Sequence, residues 1–290
     1  MNNVIRGVME KWHLFWLKRH NISVSKKGYP LLVGAPNDYM GREIIVTGLH
    51  EEDLLNVLFK KVLVPFLPEF NTGVILDVGA NIGNHTCFFA RYFRQVIAFE
   101  PNPVAYRLLQ ANLELNRLRN VILRKVGLSD QTADLGYVQT RGNLGGSGFF
   151  EADKTRNDEQ SILRVEVGDA EIDKLNLSDP IRMIKVDVEG HEFPVLKGLA
   201  KTLKEQKPLL MFEIHPFGSA KRSAIFDYLK EMGYTHFYAV EPENTSDNAK
   251  GFIGKLLAFF RIEGDYTCKS ITYPENRLYM AVLAYTRPII

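Results

Sequence analysis

Short apolar runs alternate with stretches of helical periodicity along most of this chain. Runs at 74–78, 95–99, 121–126, 181–186, 208–214, 235–240 and 278–285 have strand length, and segments near 84–93, 103–116, 191–204 and 219–232 repeat apolar positions at helical spacing. Strands alternating with helices predict βαβ units and a mostly parallel sheet. Near the end the alternation stops. The last two strands are joined by residues 241–277, which hold Pro242, Asn244, Asp247, Asn248, Gly251 and Gly264 and no strong helical pattern. A final antiparallel strand, with an insertion in its hairpin, fits this.

Upstream, residues 1–70 read as an extension and 71–290 as the main domain. Val4, Ile5, Val8, Met9, Trp12, Phe15 and Trp16 recur at helical spacing, with Arg6, Lys11, Lys18 and Arg19 nearby. A helix packed on the main domain is favoured over a membrane-surface or partner helix. Tyr29 to Val46 contains Gly34, Pro36, Asn37, Asp38 and Gly41 and reads as short strands and turns. His50 to Phe66 reads as a helix ending near Pro65, with Glu51, Glu52 and Asp53 in its first turn.

Composition narrows the classes. A net charge of +2 is too small to argue for nucleic acid or an anionic membrane. Two cysteines without a CxxC fit a reducing, cytoplasmic setting. No secretory signal pattern is visible, and no apolar run approaches the roughly 20 residues that span a bilayer.

The candidate chemistry starts at Val74–Thr86, which reads as a buried strand, a glycine turn and a helix start, and Glu100 ends the next apolar run. Such a unit, ending in an acid, is how an open α/β sheet holds an adenosine cofactor. A dinucleotide fingerprint needs a middle glycine, and Asn81 stands there. Asp77, two residues before Gly79, suits a cationic or amine-bearing ligand. The pattern Asp-x-Gly-x-x-x-Gly therefore fits S-adenosylmethionine better than NAD.

A second segment, Ile184–Glu192, follows a strand and opens a helix, placing Asp187 and Glu189 at the crevice. A third, Leu209–His215, places Glu213 and His215 at the next strand end. These groups could take a hydroxyl proton, steady a sulfonium, or hold a hard divalent cation. Glu192 and His191, in the first helical turn, read as capping or surface groups. Gly142–Gly148 reads equally as a lid or ligand-contacting turn and as a plain loop. Phe252–Phe260 reads as packing on its own hairpin, ahead of an acceptor cover or a lipid contact.

Together these segments resemble the FkbM-type methyltransferases, a family of class I, Rossmann-like O-methyltransferases dependent on S-adenosylmethionine. The matching pieces are Asp77–Gly83, Phe99–Asn102, Gly127–Asp130, Ile184–Glu192 with Leu196–Gly198, and Phe212–His215; Gly48–Glu51 is a looser match to the family's opening motif. The resemblance implies a mostly parallel sheet with a last antiparallel strand. It implies that Asp77, Gly79, Asn81 and Gly83 line the methionine part of the cofactor, with Ala80 and Thr86 also among the cofactor-binding residues. Glu100 would bind ribose, Pro101 and Asn102 would flank the adenine, and Ser129 and Asp130 would sit near its amino group. Asp187 would lie between cofactor and acceptor, a hydroxylated small molecule or glycan.

Catalysis then needs in-line positioning and a base. His215 serves as base, or Mg²⁺ or Mn²⁺ on Asp187, Glu189 and Glu213 lowers the hydroxyl pKa. The competing readings are a partner module that binds the nucleotide without catalysis and an NAD-linked oxidoreductase. The residues outside the matching pieces, 1–45 and 241–277, are expected to carry acceptor specificity.

Overall fold

The computed structural model describes residues 26–34, 37–140, 145–149, 159–214, 219–243 and 266–290, together with Met9, Lys11, Trp12, Phe15, Trp16 and Gly142. The longest apolar runs form the centre of the sheet. β1 (Val74–Val78) is buried at every position, as a strand covered by helices on both faces must be. Val74, Leu76 and Val78 join the apolar cluster on one face and Ile75 joins the cluster on the other, following the strand's period of two.

β2 (Gln95–Phe99) and β7 (Ile181–Val186) flank β1 in parallel. β3 (Val121–Arg124) lies beyond β2, and β8 (Leu209–Ile214) beyond β7. β11 (Tyr279–Tyr285) runs antiparallel to both β8 and β9 (His236–Pro242), and β10 (Tyr266–Ser270) closes that edge antiparallel to β9. The order is β10-β9-β11-β8-β7-β1-β2-β3. The chain winds outward from β1 to β3 and returns to β7 on the other side of β1. That reversal opens a crevice at the carboxyl ends of β1 and β7.

Helices Glu192–Gly198, Ala200–Gln206 and Ser219–Glu231 cover one face through Val195, Leu203, Phe226 and Leu229. The other face is covered by Glu52–Val57, the turns up to Phe70, and Asn84–Phe89. There Phe59 meets Phe70, Phe88, Phe89, Tyr92 and Phe93 at ring-centroid distances between 4.7 and 6.4 Å. Each such buried ring stabilises the fold by about 1.5–3 kcal/mol. Residues 49–70, expected in the extension, thus share the apolar cluster of the sheet's own face.

Several expectations are corrected. Tyr39–Thr47 is a helix, within a stretch expected to form strands and turns; the Asp38 carboxylate accepts the Gly41 N–H at 2.9 Å as its N-cap. The turn signals at Asn37 and Asp38 were that cap. The helical run from Glu52 does not end at Pro65. It widens to a π turn, Leu58–Val62, and continues as a 3₁₀ turn, Val64–Phe66, and a last turn, Leu67–Phe70. Pro65 starts a turn, where its missing N–H costs nothing. The single helix expected near 191–204 is two.

The stretch 127–167 holds a second sheet that the apolar runs did not reveal, ordered β4 (Gly127–Ser129), β6 (Glu159–Val167), β5 (Ala133–Gln139). Its longer strands, β5 and β6, carry exposed positions, so polar residues interrupt the apolar signal. The insertion 241–277 supplies β10 as a sheet edge, and residues 244–265, including Phe252–Phe260, lie outside the described ones. The N-terminal helical positions Met9, Trp12, Phe15 and Trp16, expected to pack on the domain, are each more than half exposed.

One close approach locks the second sheet to the helix Glu192–Gly198. A Cβ built on Gly198 would stand 1.8 Å from the Ser129 carbonyl oxygen. Gly198→Ala is expected to force the helix away from β4 and lower stability by about 1–3 kcal/mol, read as a drop in the urea midpoint; an unchanged midpoint would show that the contact is slack.

Candidate functional site

The crevice at the strand ends is a cavity of about 550 Å³. Its floor is the turn after β1. A Cβ on Gly79 (φ 78°) would stand 1.8 Å from the Asp187 carbonyl oxygen, so only glycine lets the ends of β1 and β7 meet. The Asp187 N–H donates to the Val78 carbonyl at 3.1 Å, completing that junction.

Beneath the floor lies a buried ion cluster. Lys185 stands opposite Asp77 in the β1–β7 register. Its Nζ lies 3.3 Å from Asp77 Oδ1 and 3.3 Å from Asp187 Oδ2, and donates to the Gly79 carbonyl at 2.9 Å. Thr86 donates to the other Asp77 oxygen at 2.6 Å. Burial works against the Lys185 ammonium, but Asp187 and Asp77 outweigh it and hold its pKa above the ordinary lysine value. Burial also works against the Asp187 carboxylate; Lys185, and then His85, outweigh it and keep Asp187 below the usual carboxylate range. Asp187 is therefore ionised at neutral pH.

At the end of β2 the Glu100 carboxylate accepts N–H groups from Asn81 at 2.8 Å and Asn102 at 2.7 Å. Burial dominates over these bonds and pushes its pKa from about 4.5 to about 7. On the opposite wall Asp187, Glu189 and Glu213 each place a carboxylate oxygen within 4.8 Å of the others.

Residues before β1 complete the wall. His50 is tied to Asn84 twice: its N–H donates to Asn84 Oδ1 at 2.9 Å, and its carbonyl accepts from Asn84 Nδ2 at 2.9 Å. The His50 ring meets Glu43 at 2.5 Å. Burial opposes the imidazolium, but Glu43 and Glu51 outweigh it and raise the His50 pKa. His85 Nε2 stands 3.1 Å from a Glu51 oxygen. Glu51, Asn81 and Glu189 all line the cavity with positive φ, at 55°, 49° and 53°. Side-chain-bearing residues held there cluster at functional sites.

Of the residues expected at the site, Gly79, Ala80, Asn81, Glu100, Pro101, Asp187, Glu189 and Glu213 line the cavity. Six others do not. Asp77 is fully buried and serves Lys185, and Thr86 serves Asp77. Gly83 precedes the Asn84–Phe89 helix and faces Leu109. Asn102 caps the Pro103–Leu115 helix through Val104 and Ala105. Ser129 bonds His191 at 3.0 Å, and Asp130 pairs with Lys197 at 3.9 Å. His215 lies outside the described residues.

Glu192, read as a capping group, is buried and accepts the Val188 and Gly190 N–H groups, fixing the loop that carries Glu189. The glycine-rich segment lines the cavity through Gly145–Gly148, pinned to β5 by the Val138–Gly148 bridge; Asn143 and Leu144 lie outside the described residues. Lys185, His50, Asn84 and His85 were missed. A lysine inside an apolar strand is itself a signal, since lysine is almost never buried without a partner.

A switch-point crevice, an acid at the end of β2 and a final antiparallel strand define a Rossmann-like class I methyltransferase fold. The methyltransferase FkbM domain matches residues 77–235, and the chain belongs to that family. It is 34% identical over 146 residues to Methyltransferase 1 of Beauveria bassiana, covering 43% of this chain and 57% of that protein. It is 32% identical over 142 residues to the hexuronic acid methyltransferase AglP of Haloferax volcanii, covering 49% of this chain and 56% of that protein. The chain thus spans little more than half the length of these relatives. The crystal structure of methyltransferase FkbM from Methylobacillus flagellatus superposes with a TM-score of 0.45 at 16% identity, over 84% of this chain and 52% of that one, too loosely to transfer residue roles.

The ion cluster makes a stability prediction. Lys185→Met strands two carboxylates and is expected to cost about 3–5 kcal/mol. Adding Asp77→Leu should recover part of that loss. Denaturant melts of the single and double variants check this; additive losses would mean the pair is not coupled.

Proposed function

We propose that this protein is an S-adenosylmethionine-dependent O-methyltransferase acting on a hydroxyl of a glycan or other hydroxylated small molecule. The observation that carries the reading is one cavity holding a buried, high-pKa Glu100 at one strand end and an ionised Asp187 with Glu189 and Glu213 at the others. The chain's own groups fit this cofactor better than a dinucleotide. A pyrophosphate needs outward-facing amides, but the N–H groups of Gly79 and Ala80 donate to Phe99, that of Asn81 to Glu100 and that of Gly83 to Ala80. The acidic wall would also repel phosphate.

S-adenosylmethionine supplies an electrophilic methyl group on a sulfonium. Glu100 would accept hydrogen bonds from the ribose hydroxyls, Pro101 would flank the adenine, and Gly79 and Asn81, with Ala80 between them, would line the methionine part. The ionised Asp187, held by Lys185, complements positive charge at the β1–β7 junction. Asp77, Gly83, Thr86, Asn102, Ser129 and Asp130 act from behind, by holding the groups that line the cavity. On the acceptor side, Glu189 and Glu213 orient the hydroxyl. His215 would remove its proton, or Asp187, Glu189 and Glu213 would hold a divalent cation whose charge would lower the hydroxyl pKa. The hexuronic acid named for the Haloferax relative supports a sugar-type acceptor.

The cofactor is tested by calorimetry. S-adenosylhomocysteine is expected to bind and NAD not to. Glu100→Ala should weaken binding by about 1.5–3 kcal/mol. The carboxylate accepts hydroxyl bonds best when ionised. Affinity should therefore fall as the pH drops through about 7, with proton release on binding near that pH. NAD binding without S-adenosylhomocysteine binding would overturn the reading.

Turnover on a glycan extract tests the chemistry and separates an enzyme from a binding module. Asp187→Asn and His215→Ala are each expected to lower the rate by roughly 10²–10⁴-fold. A chelator should abolish turnover, reversibly with Mg²⁺ or Mn²⁺, if the cation route operates; unaffected turnover leaves the His215 route. Full activity in both variants, with chelation harmless, would make the cluster structural.

A further inference from the structure

The segment ahead of the domain carries an unexplained surface. Met9, Trp12, Phe15 and Trp16 are helical and 57%, 66%, 54% and 53% exposed. The rings cluster among themselves, with Trp12 to Trp16 centroids 5.6 Å apart and edge-to-face. Met9, Trp12 and Trp16 fall on one helical face, and the same spacing runs back in the sequence through Ile5 and Val8. Contiguous exposure of large apolar side chains marks an interaction surface.

Charge identifies the partner. Residues 1–26 contain Arg6, Lys11, Lys18, Arg19 and Lys26 against Glu10 alone, while the whole chain nets +2, so the remainder is net negative; Lys27 is already paired with Glu52. Basic residues beside an aromatic-rich helical face complement an anionic bilayer surface. Tryptophan favours that boundary because its ring is apolar and its N–H polar. Charged residues at 6, 10, 11, 18 and 19 interrupt the segment well short of the roughly 20 apolar residues that span a bilayer, so it would lie on the surface.

We infer that the segment around Trp12 and Trp16 docks the protein onto anionic lipid bilayers. The inference stands apart from the proposed reaction. Docking would place the cavity beside acceptors held at a membrane surface.

Trp12 and Trp16 are the chain's two tryptophans, so intrinsic emission reports on this segment directly. The 290-residue chain would be mixed with phosphatidylcholine vesicles, with and without phosphatidylglycerol. We expect sedimentation and a blue-shifted emission with the anionic vesicles, weakened several-fold by high salt and by Lys11→Glu. Trp12→Ser/Trp16→Ser should lower the vesicle-bound fraction at least about tenfold. Both side chains are exposed, so the variant should keep the parent's melting temperature, checked by circular dichroism. No binding to anionic vesicles, or equal binding by the double variant, overturns the inference. So does a dimer, or a complex with another protein, that needs Trp12 and Trp16 while vesicles are ignored.

Discussion

Lys185 is the pivot of this molecule. An ammonium buried between Asp77 and Asp187 fixes the ends of β1 and β7 against each other at the point where the sheet's winding reverses. Burying such a charge is unfavourable unless every partner is in place. The register between the two strands, the approach of Gly79 to the Asp187 backbone and the Thr86 bond to Asp77 are therefore one coupled arrangement. It leaves Asp187 at the cavity edge as a carboxylate that stays ionised without an exposed cation beside it.

Glu100 shows the opposite choice. Burial lifts its pKa to about 7 even though it accepts two backbone N–H bonds. The folded-state value lies above the unfolded one, so between about pH 4.5 and 7 the folded protein holds the extra proton, and Glu100's contribution to stability falls as the pH rises through that window. The positive φ angles of Glu51, Asn81 and Glu189 add backbone strain at the same cavity. A fold that concentrates an uncomfortable carboxylate and three strained residues in one crevice gives up stability where a ligand can restore it.

The parts legible in sequence share a physical reason. Strands buried on both faces write themselves as continuous apolar runs, so β1, β2, β7, β8 and β11 were visible, and with them the crevice. The second sheet was not, because β5 and β6 carry exposed positions and mix Asp134, Gly136, Gln160 and Arg164 into the pattern. The Tyr39–Thr47 helix was hidden because its N-cap uses the same Asn-Asp vocabulary as a turn. The motif residues proved to be of two kinds. Asn81, Glu100 and Asp187 face the cavity, whereas Asp77, Thr86, Asn102 and Ser129 bond to neighbouring protein groups. Sequence spacing places a side chain at a strand end but does not say which face of the sheet it leaves from until the register is known.

The cavity's makeup also limits what family membership can carry. The family match spans 77–235, which contains the β1 turn, Glu100 and the carboxylate wall. Much of the remaining lining comes from outside it: Tyr39, Glu43, His50 and Glu51 from before β1, and Tyr266 and Met280 from the final strands. These two sources have different physical characters. The upstream residues bring a paired imidazole and carboxylates, held rigidly to the core by the double His50–Asn84 bond. The downstream ones bring an aromatic ring and a thioether, apolar groups that adapt to shape. On the proposed reading the cofactor end is the family's shared part. The acceptor end is then framed by one polar, preorganised wall and one apolar, adaptable one, which is the combination that fixes the orientation of a hydroxylated ring while tolerating variation in its substituents.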